Sequence, residues 1–412
     1  MRWGLRRRTT AVALLGLVGT LGAATAHGAD PAIACSWTVE TYGRGGANVG
    51  WTDLNSTGYV MSYSATPGGR LVITGKFARA RFFVIDVYDA KGNPFVPDLL
   101  DSTLQPDPGT SNPYRTRSTG PARFTATVAF NAPPAHRAPN TVYAGRTFDG
   151  TAPNGGGTIA LRVYLPDVAG QRSGGVALPE VTHYPTASAR GIPLRPCPTP
   201  HTVPGQIAVT HALANAPNAR APFPAAQNPP VWETSTNPSV DSVIGQDNLP
   251  RTGIGLLTTP NNSYLQTRIS QQYAPVFVMR AKAPTSPDTR AGEWVGVRRQ
   301  LRYWSVCEFS TTTNESIECL SDHEIRRDAS GFFTLVVSDP RHRPNNAANW
   351  LPFGVYEGWL TYRQFLPDPA YHASIQSAAM TADVKAAMGA YYPRSGYCTT
   401  AAFQSRGAGC VQ

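Results

Sequence analysis

Two related hexapeptides close two stretches of this chain, Arg162-Val163-Tyr164-Leu165-Pro166-Asp167 and Arg363-Gln364-Phe365-Leu366-Pro367-Asp368. An Arg-led aromatic run precedes each of them, Arg81-Phe82-Phe83-Val84 in the first stretch and Arg302-Tyr303-Trp304-Ser305 in the second. Similar signals recur in the same order in both stretches, which begin at Tyr59 and Tyr264. We therefore predict an internal duplication that builds two related β units packed together.

Short runs rich in Val, Ile, Thr and aromatic residues alternate with turn residues along the chain. The 412 residues include 38 Gly and 37 Pro, which fall mainly between those runs. Many short strand-like runs separated by turn signals are typical of an all-β protein. We predict a mainly β fold of two β-sandwich or jelly-roll-like units. Short C-terminal helices should follow, because Asp368-Pro369 can begin a helix and Gly389 can end one.

The N-terminus has the three parts of an export signal. A basic start with Arg6, Arg7 and Arg8 precedes an apolar stretch, and Ala24-Thr25-Ala26 supplies the small residues of a cleavage site. We predict a secreted, periplasmic or cell-envelope protein. The predicted segments are a signal peptide at 1–26, a first β unit at 27–197, a Pro-rich connector at 198–250, a second β unit at 251–368 and a helical C-terminal tail at 369–412.

The charge of the chain is modest once the signal is removed. The formal net charge falls from +10 to +6, because the signal carries four Arg and no acidic residue. The remaining basic residues are scattered rather than concentrated in runs, so we expect no nucleic-acid partner. The apolar stretch of the signal is shorter than the roughly 20 residues of a membrane helix, so we expect no membrane span after signal removal. The oligomeric state stays open, as does the choice between general secretion and twin-arginine export.

Six cysteines in an exported chain predict disulfide bonds. Loop sizes favour Cys307 with Cys319 and Cys398 with Cys410, which leaves Cys35 with Cys197, although other connectivities stay open. No Cys-x-x-Cys motif or Cys/His cluster has the spacing of metal ligands, so we predict neither a metal nor a cofactor.

The signatures of serine hydrolases, zinc proteases and nucleotide-binding enzymes are absent from the sequence. A carboxylate pair on neighbouring strands would suit glycoside hydrolysis, which makes Asp86 and Glu308 catalytic candidates. His342 precedes Arg343, as His136 precedes Arg137 in the first unit, and such an imidazole could act as a base. The structural alternatives are acids that pair with neighbouring Arg and His residues that fix turns.

Aromatic and basic side chains supply the ligand-binding candidates. Trp350 and Tyr356 could stack on a sugar ring, and Arg302 and Arg363 could bind a carboxylate or phosphate. His136 is the fifth candidate. The alternatives are a core tryptophan and internal partners for the Arg residues, because an unpaired buried charge is costly. The candidate partners are Asp86, Asp167 and Asp368.

The stretch Asn349-Trp350-Leu351-Pro352, together with the hexapeptide that begins at Arg363, resembles a domain of unknown function in exported bacterial proteins. That domain ends in Asn-Trp-Leu-Pro, a Gly turn and an Arg-x-Tyr-x-Pro strand. The first unit is similar to exported proteins of actinobacteria and proteobacteria at 106–113 and 138–143. The resemblance covers about half of the chain in short motifs and implies β-sandwich-like modules without an assigned activity. Asn140-Thr141-Val142-Tyr143 replaces the tryptophan motif in the first unit, so a site built on Trp350 would be single.

Three functions fit these features. The first is a binding module that holds a small molecule or saccharide where the two units meet. The second is a secreted hydrolase of a glycan or other polymer that uses carboxylates on the aromatic strands. The third is a structural protein of the envelope. Because Trp350 and Trp304 belong to the second copy only, we expect that a function carried by one unit lies in the second.

Overall fold

Strands dominate the computed structural model, which describes residues 35–43, 52–198, 225–236, 259–311, 315–354 and 356–411. They form four sheets, two in each of two lobes. The prediction of a mainly β fold is confirmed. The predicted signal peptide and most of the predicted connector lie outside the described residues.

Lobe 1 is built from ten strands. They are β1 (Val39–Tyr42), β2 (Ser56–Ser64), β3 (Arg70–Lys76), β4 (Ala80–Asp89), β5 (Leu99–Leu100), β6 (Arg123–Ala129), β7 (Thr141–Tyr143), β8 (Gly156–Pro166), β9 (Glu180–Tyr184) and β10 (Ile192–Leu194). Its inner sheet has the order β1-β2-β8-β4-β5, and its outer sheet has the order β10-β9-β3-β6-β7.

Lobe 2 repeats this plan. Its strands are β11 (Glu233–Thr236), β12 (Asn262–Ser270), β13 (Val276–Lys282), β14 (Leu301–Ser310), β15 (Ser316–Ser321), β16 (Phe332–Ser338), β17 (Asn349–Pro352), β18 (Glu357–Pro367) and β19 (Arg394–Cys398). Its inner sheet has the order β11-β12-β18-β14-β15, and its outer sheet has the order β17-β16-β13-β19. Short C-terminal helices are present as predicted, α1 (Ile375–Ala378), α2 (Val384–Met388) and α3 (Thr400–Arg406). The first is capped by Ser374 and not by Asp368, where the sequence predicted its start.

Each lobe is a sandwich with its own apolar core between its two sheets. Alternation along the strands produces this arrangement, because successive side chains point to opposite faces. In β6, Phe124, Ala126 and Val128 are buried in the lobe 1 core, whereas Arg123 and Thr125 are exposed. Phe277, Met279 and Trp304 are among the side chains that fill the lobe 2 core.

The ladders of the two inner sheets match residue by residue. Phe82 pairs with Tyr164 in lobe 1, and Tyr303 pairs with Phe365 in lobe 2. In both lobes the strand pair at the rim of the outer sheet, β6 with β7 and β16 with β17, is the parallel one. This shared register is what a duplication predicts.

The start of the repeat differs by one residue from the sequence comparison. Gly58 lies opposite Arg162, and Tyr264 lies opposite Arg363, so Tyr264 occupies the place of Gly58. Tyr59 therefore corresponds to Leu265. The hexapeptides set this register, whereas the two tyrosines were a coincidence of spacing.

The hexapeptides share an unusual backbone. Leu165 and Leu366 have φ angles of 44° and 46°, in the left-handed region that branched residues rarely adopt. The Leu165 amide donates to the Asn55 carbonyl at 2.8 Å, and the Leu366 amide donates to the Asn261 carbonyl at 3.1 Å. The same hydrogen bond therefore holds the same strained residue in both copies.

The C-terminal tail covers the outer sheet of lobe 2. Phe403 of α3 packs with Val276, Val278 and Val336 on the face of that sheet turned away from the core. β19 adds a strand to the sheet beside β13. The tail is therefore part of lobe 2 and not an appendage.

Three disulfide bonds are present. They join Cys35 to Cys197, Cys307 to Cys319 and Cys398 to Cys410, the pairs that the loop sizes favoured. Disulfides of this kind are typical of oxidising compartments. Within the described ranges, no helix is long and apolar enough to cross a membrane.

Candidate functional site

The two inner sheets meet at a cluster of four aromatic rings, Phe82 and Tyr164 from lobe 1 and Tyr303 and Phe365 from lobe 2. Tyr164 and Phe365 have ring centroids 4.7 Å apart, and the Phe82 and Phe365 centroids are 5.4 Å apart. All four side chains are buried. Side chains therefore fill the centre of the junction, where the sequence predicted a ligand.

Two ion pairs cross the junction in opposite directions. Arg81 of lobe 1 binds Asp322 of lobe 2 at 2.5 Å, and Arg302 of lobe 2 binds Asp101 of lobe 1 at 3.2 Å. Both Arg residues stand one position before the paired aromatic residues of β4 and β14, and each Asp follows the short strand beside them. The two pairs are thus equivalents under a pseudo-twofold axis, as in an isologous dimer interface.

The Arg residues of the hexapeptides also have carboxylate partners. Arg162 forms an ion pair with Asp86 and donates to the Tyr88 hydroxyl at 2.6 Å. Arg363 lies 3.2 Å from Asp53 of the other lobe. An internal Asp was the structural alternative to a ligand for these residues. Asp86 was one of the candidate partners, but Asp53 was not.

Asp53 of lobe 1 binds three side chains of lobe 2, Arg363, Tyr303 and Ser305. It is not among the candidates predicted from the sequence. Its Oδ2 atom accepts hydrogen bonds from the Tyr303 hydroxyl at 2.9 Å and the Ser305 hydroxyl at 2.6 Å. Its equivalent in lobe 2 is Thr259, three residues before the first long strand, and the Thr259 hydroxyl donates to Asp86 at 3.4 Å. Each lobe thus sends one short segment across the junction, and nothing in a linear motif marks it.

Carboxyl groups at this junction hold protons more tightly than usual. Burial raises the pKa of Asp86 to about 6, although Arg162 opposes the rise. Burial, followed by repulsion from Asp86, raises the pKa of Asp98 to about 7, and Asn261 donates a hydrogen bond to it. Asp86 is fully buried, whereas Asp98 is half-buried.

Glu308 is buried without a counter-charge. Neither of its carboxyl oxygens has a hydrogen-bond partner among the described residues, and burial raises its pKa well above the ordinary range. Its carboxyl group occupies the space where a Cβ atom on Gly358 would stand. Asp86 and Glu308 lie in different lobes and are both inaccessible to solvent.

The two His-Arg pairs lie on exposed loops. His136 and His342 are exposed, and the Thr400 hydroxyl donates to the His342 backbone carbonyl at 3.0 Å. The Asn residues that follow, Asn140 and Asn349, each donate a side-chain hydrogen bond to the backbone of the neighbouring strand. The Asn140 amide donates to the Thr125 carbonyl at 2.9 Å, and the Asn349 amide donates to the Thr334 carbonyl at 3.0 Å.

The aromatic candidates have different surroundings. Trp350 is half-buried, donates to the Ser338 hydroxyl at 3.0 Å, and has the Arg343 guanidinium 4.4 Å from its ring centre. Tyr356 is 62% exposed, which leaves its ring open to a ligand. The five predicted ligand residues therefore do not converge on one site.

A groove lies at the edge of lobe 2, between β12 and the segment that leads into β11. Its enclosed volume is about 10 Å³, room for about one water molecule, and about 240 Å³ when the open solvent at its mouth is included. The lining residues are Ala225, Gln227, Val231, Glu233, Gln266, Thr267 and Arg268. Five of these side chains carry hydrogen-bonding groups.

Hydrogen bonds fix the outer wall of the groove. The Tyr273 hydroxyl donates to the Ala226 carbonyl at 2.8 Å, and the Thr267 hydroxyl donates to the Val231 carbonyl at 2.7 Å. The Trp232 indole donates to the Ser395 hydroxyl at 2.9 Å. The wall is therefore positioned before any ligand arrives.

Charged side chains line the groove and its border. Glu233 and Arg268 are lining residues, and Glu357 lies just outside the lining. Arg268 binds Glu357 at 2.5 Å, and its Nε atom is buried without a hydrogen-bond partner among the described residues. Burial raises the pKa of Glu233, which lies opposite Gln266 across the strand pair. Tyr356 precedes Glu357 in the chain. The Tyr356 backbone carbonyl accepts a hydrogen bond from the Gln271 backbone N–H at 3.1 Å. None of the predicted ligand-binding residues lines the groove. Tyr356 comes nearest in the chain, because it precedes Glu357, the partner of Arg268.

No local pattern in the sequence points to the groove residues. β11 is four residues long and lies inside the Pro-rich segment that was predicted as a connector. Its pairing with β12 depends on a contact between distant parts of the chain, which periodicity does not reveal.

One triad in the described part of the chain has the spacing of metal ligands, Asp53 with Cys307 and Cys319. Both cysteines are joined in a disulfide bond, so their sulfurs are not thiolate ligands. The triad does not form a metal site.

Comparisons with known proteins found similar solved structures. An uncharacterised protein from Burkholderia cenocepacia is 14% identical with a TM-score of 0.47, covering 93% of this chain and 94% of that one. A protein from Vibrio parahaemolyticus is 12% identical with a TM-score of 0.43, covering 84% of this chain and 90% of that one. No protein-family model and no curated protein matches the chain.

Proposed function

We propose that this is an exported binding module that binds a saccharide, or a similar polyhydroxylated small molecule, at the open mouth of the groove of lobe 2. The observation that carries the proposal is that Glu233, Arg268 and Gln227 line one groove, while the Gln266 amide donates to the Thr361 hydroxyl at 3.0 Å. Charged and amide groups of this kind fix the hydroxyls of a sugar, because each can donate or accept in a defined direction.

The surroundings of the groove support a sugar as the ligand. Tyr356 precedes Glu357, the partner of Arg268, in the chain and is 62% exposed, and aromatic rings stack on the apolar face of sugars. Arg268 keeps one N–H group without a partner, which a ligand hydroxyl can satisfy.

Binding without hydrolysis fits the placement of the carboxylates. Glycoside hydrolysis needs two carboxyl groups that flank one bond. Glu233 is the single carboxylate that lines the groove, and the catalytic candidates Asp86 and Glu308 are buried elsewhere. A hydrolase would release new reducing ends from a bound glycan, and this release distinguishes the two functions.

Titration calorimetry with a panel of soluble oligosaccharides tests this function. Arg268→Met keeps the apolar stem but removes the donors, and we expect it to weaken binding by roughly 10- to 100-fold. Arg280→Met is the matched control, because Arg280 forms a similar 2.5 Å ion pair with Asp328 on the outer sheet.

Two results would contradict the proposal. One is that no oligosaccharide of the panel binds the wild-type chain. The other is that both Met variants weaken binding equally. Reducing ends released during incubation would instead support the hydrolase.

A further inference from the structure

The outer sheet of lobe 1 has a polar face turned away from the core. Leu71, Phe124 and Val181 point into the core, so their neighbours along β3, β6 and β9 form the opposite face. We call this surface the threonine face. Its members are Val72, Thr74, Thr125, Thr127, Thr141 and Thr182, all of them exposed or half-buried.

The threonine face is a regular array. Val72 pairs with Thr182 on one side and with Thr127 on the other, and Thr127 pairs with Thr141. One row of side chains therefore crosses four strands. Thr74 lies opposite Thr125 at about 4.8 Å, and Val72 interrupts the row between Thr182 and Thr127. The hydroxyls that remain suit several weak hydrogen bonds to an extended chain.

Cations border the threonine face. Lys76 and Arg123 lie directly opposite each other on β3 and β6, a placement that like charges normally disfavour. Neither has an ion-pair partner among the described residues, and both are exposed. Arg70 lies on the same face with its guanidinium 4.0 Å from the Tyr184 ring centre. Glu180, opposite Thr74, is the single acidic residue of the strand positions on this face.

The corresponding face of lobe 2 is built differently. Val276 and Val278 take the places of Arg70 and Val72, and the C-terminal tail covers them with Phe403. Lys282 takes the place of Lys76, and Arg280 takes the place of Thr74, so cations occur on both faces. The faces differ at the other end, where the tail covers the apolar residues of lobe 2 and the lobe 1 face stays in contact with water.

We propose that the threonine face of lobe 1 binds a linear acidic polysaccharide of the polyuronate class. Carboxylates of the polymer pair with Lys76 and Arg123, and its hydroxyls bond with the threonines. Charge complementarity carries this assignment, because two adjacent cations lack a carboxylate of their own. The sparse charge and abundant hydroxyls favour a polyuronate over a polyphosphate. This inference is independent of the lobe 2 groove.

Binding of the full chain to immobilised polygalacturonate tests the proposal. We expect the wild type to bind and to be released as salt rises, since the contact is electrostatic. Lys76→Gln with Arg123→Gln should weaken binding by at least about tenfold. Lys385→Gln with Arg406→Gln is the matched control, because it removes two exposed positive charges from lobe 2 and should leave binding within about twofold.

The hydroxyl contribution has its own test. Thr125→Val with Thr127→Val keeps β-branched residues in the strand and removes only the hydroxyls. We expect binding to polygalacturonate to fall several-fold with unchanged thermal stability. Unchanged binding in this variant would contradict the role of the threonines.

Other outcomes would overturn the assignment. Equal losses in the two Gln double variants would reduce the effect to net charge. Failure of the wild type to bind polygalacturonate at low salt would remove the proposal. Tighter binding to inorganic polyphosphate, or to vesicles rich in phosphatidylglycerol, would show that the face serves another polyanion.

Discussion

Arg81 and Arg302 occupy the same ladder position in the two lobes, and each finds its carboxylate in the other lobe. A buried guanidinium is tolerated only with such a partner, because desolvation of an unpaired charge is expensive. The sequence predicted that internal Asp residues would satisfy the Arg set, and it named Asp86 correctly. It did not point to Asp53, Asp101 or Asp322, since each of them lies in the other lobe from its partner.

Removing one of these carboxylates should destabilise the whole chain. Asp322→Asn leaves buried Arg81 with only the more distant carboxylate of Asp288, at 3.8 Å, and we expect the free energy of unfolding to fall by about 3 kcal/mol. Urea unfolding measures this change. Asp339→Asn breaks an exposed pair with Arg341 and should have little effect. Equal midpoints for the wild type and Asp322→Asn would show that the ion pair is not needed.

At the scale of the elements, local patterns identified the strands and missed some of the pairings. The Arg-led aromatic runs and the hexapeptides became β4, β8, β14 and β18, because their residues are buried over nearly their full length. β11 and β19 stayed hidden, since each is short and lies in a segment predicted as connector or helical tail. The groove depends on β11, so the candidate site could not be found from periodicity.

The C-terminal tail is an element whose attachment can be measured. Cys398 and Cys410 close a loop with a sequence separation of 12 residues. Replacing both by Ser should lower the stability of the tail by roughly 2–4 kcal/mol and speed amide exchange in α3. Cys307 and Cys319 have the same separation, so their double Ser variant is the control and should leave exchange in α3 unchanged. Slow exchange in both variants would mean that packing alone holds the tail.

At the scale of the whole molecule, two related sandwiches share a packed junction and differ at their surfaces. The junction holds equivalent rings and ion pairs from both lobes. It is therefore the part of the molecule where the two lobes are most alike, as a duplication predicts. Among the described residues, the groove lies in lobe 2 and the threonine face lies in lobe 1. Divergence between the copies, more than their likeness, therefore marks the proposed binding surfaces.

The buried carboxyl groups of the junction should make stability depend on pH. Burial raises the pKa of Asp86 from 3.8 to about 6, and the pKa of half-buried Asp98 is raised from 3.8 to about 7. The folded chain therefore binds more protons than the unfolded chain between about pH 4 and 7. This contribution to stability is complete below about pH 4 and is lost as the pH rises through the folded pKa values.

We therefore expect the urea concentration at the unfolding midpoint to decrease as the pH is raised from 5 to 8. Asp98→Asn should flatten the curve, because an amide oxygen still accepts from Asn261 but does not titrate. A midpoint that rises over this range would contradict the assigned direction of both pKa shifts.

Hydrogen exchange with and without a bound oligosaccharide tests the location of the binding site most directly. A saccharide bound at the mouth of the lobe 2 groove should slow exchange at 225–233 and 266–268 and leave β4 and β14 at the junction unchanged. Protection confined to β4 and β14, with none at the groove, would contradict the account and return the ligand to the junction of the two lobes.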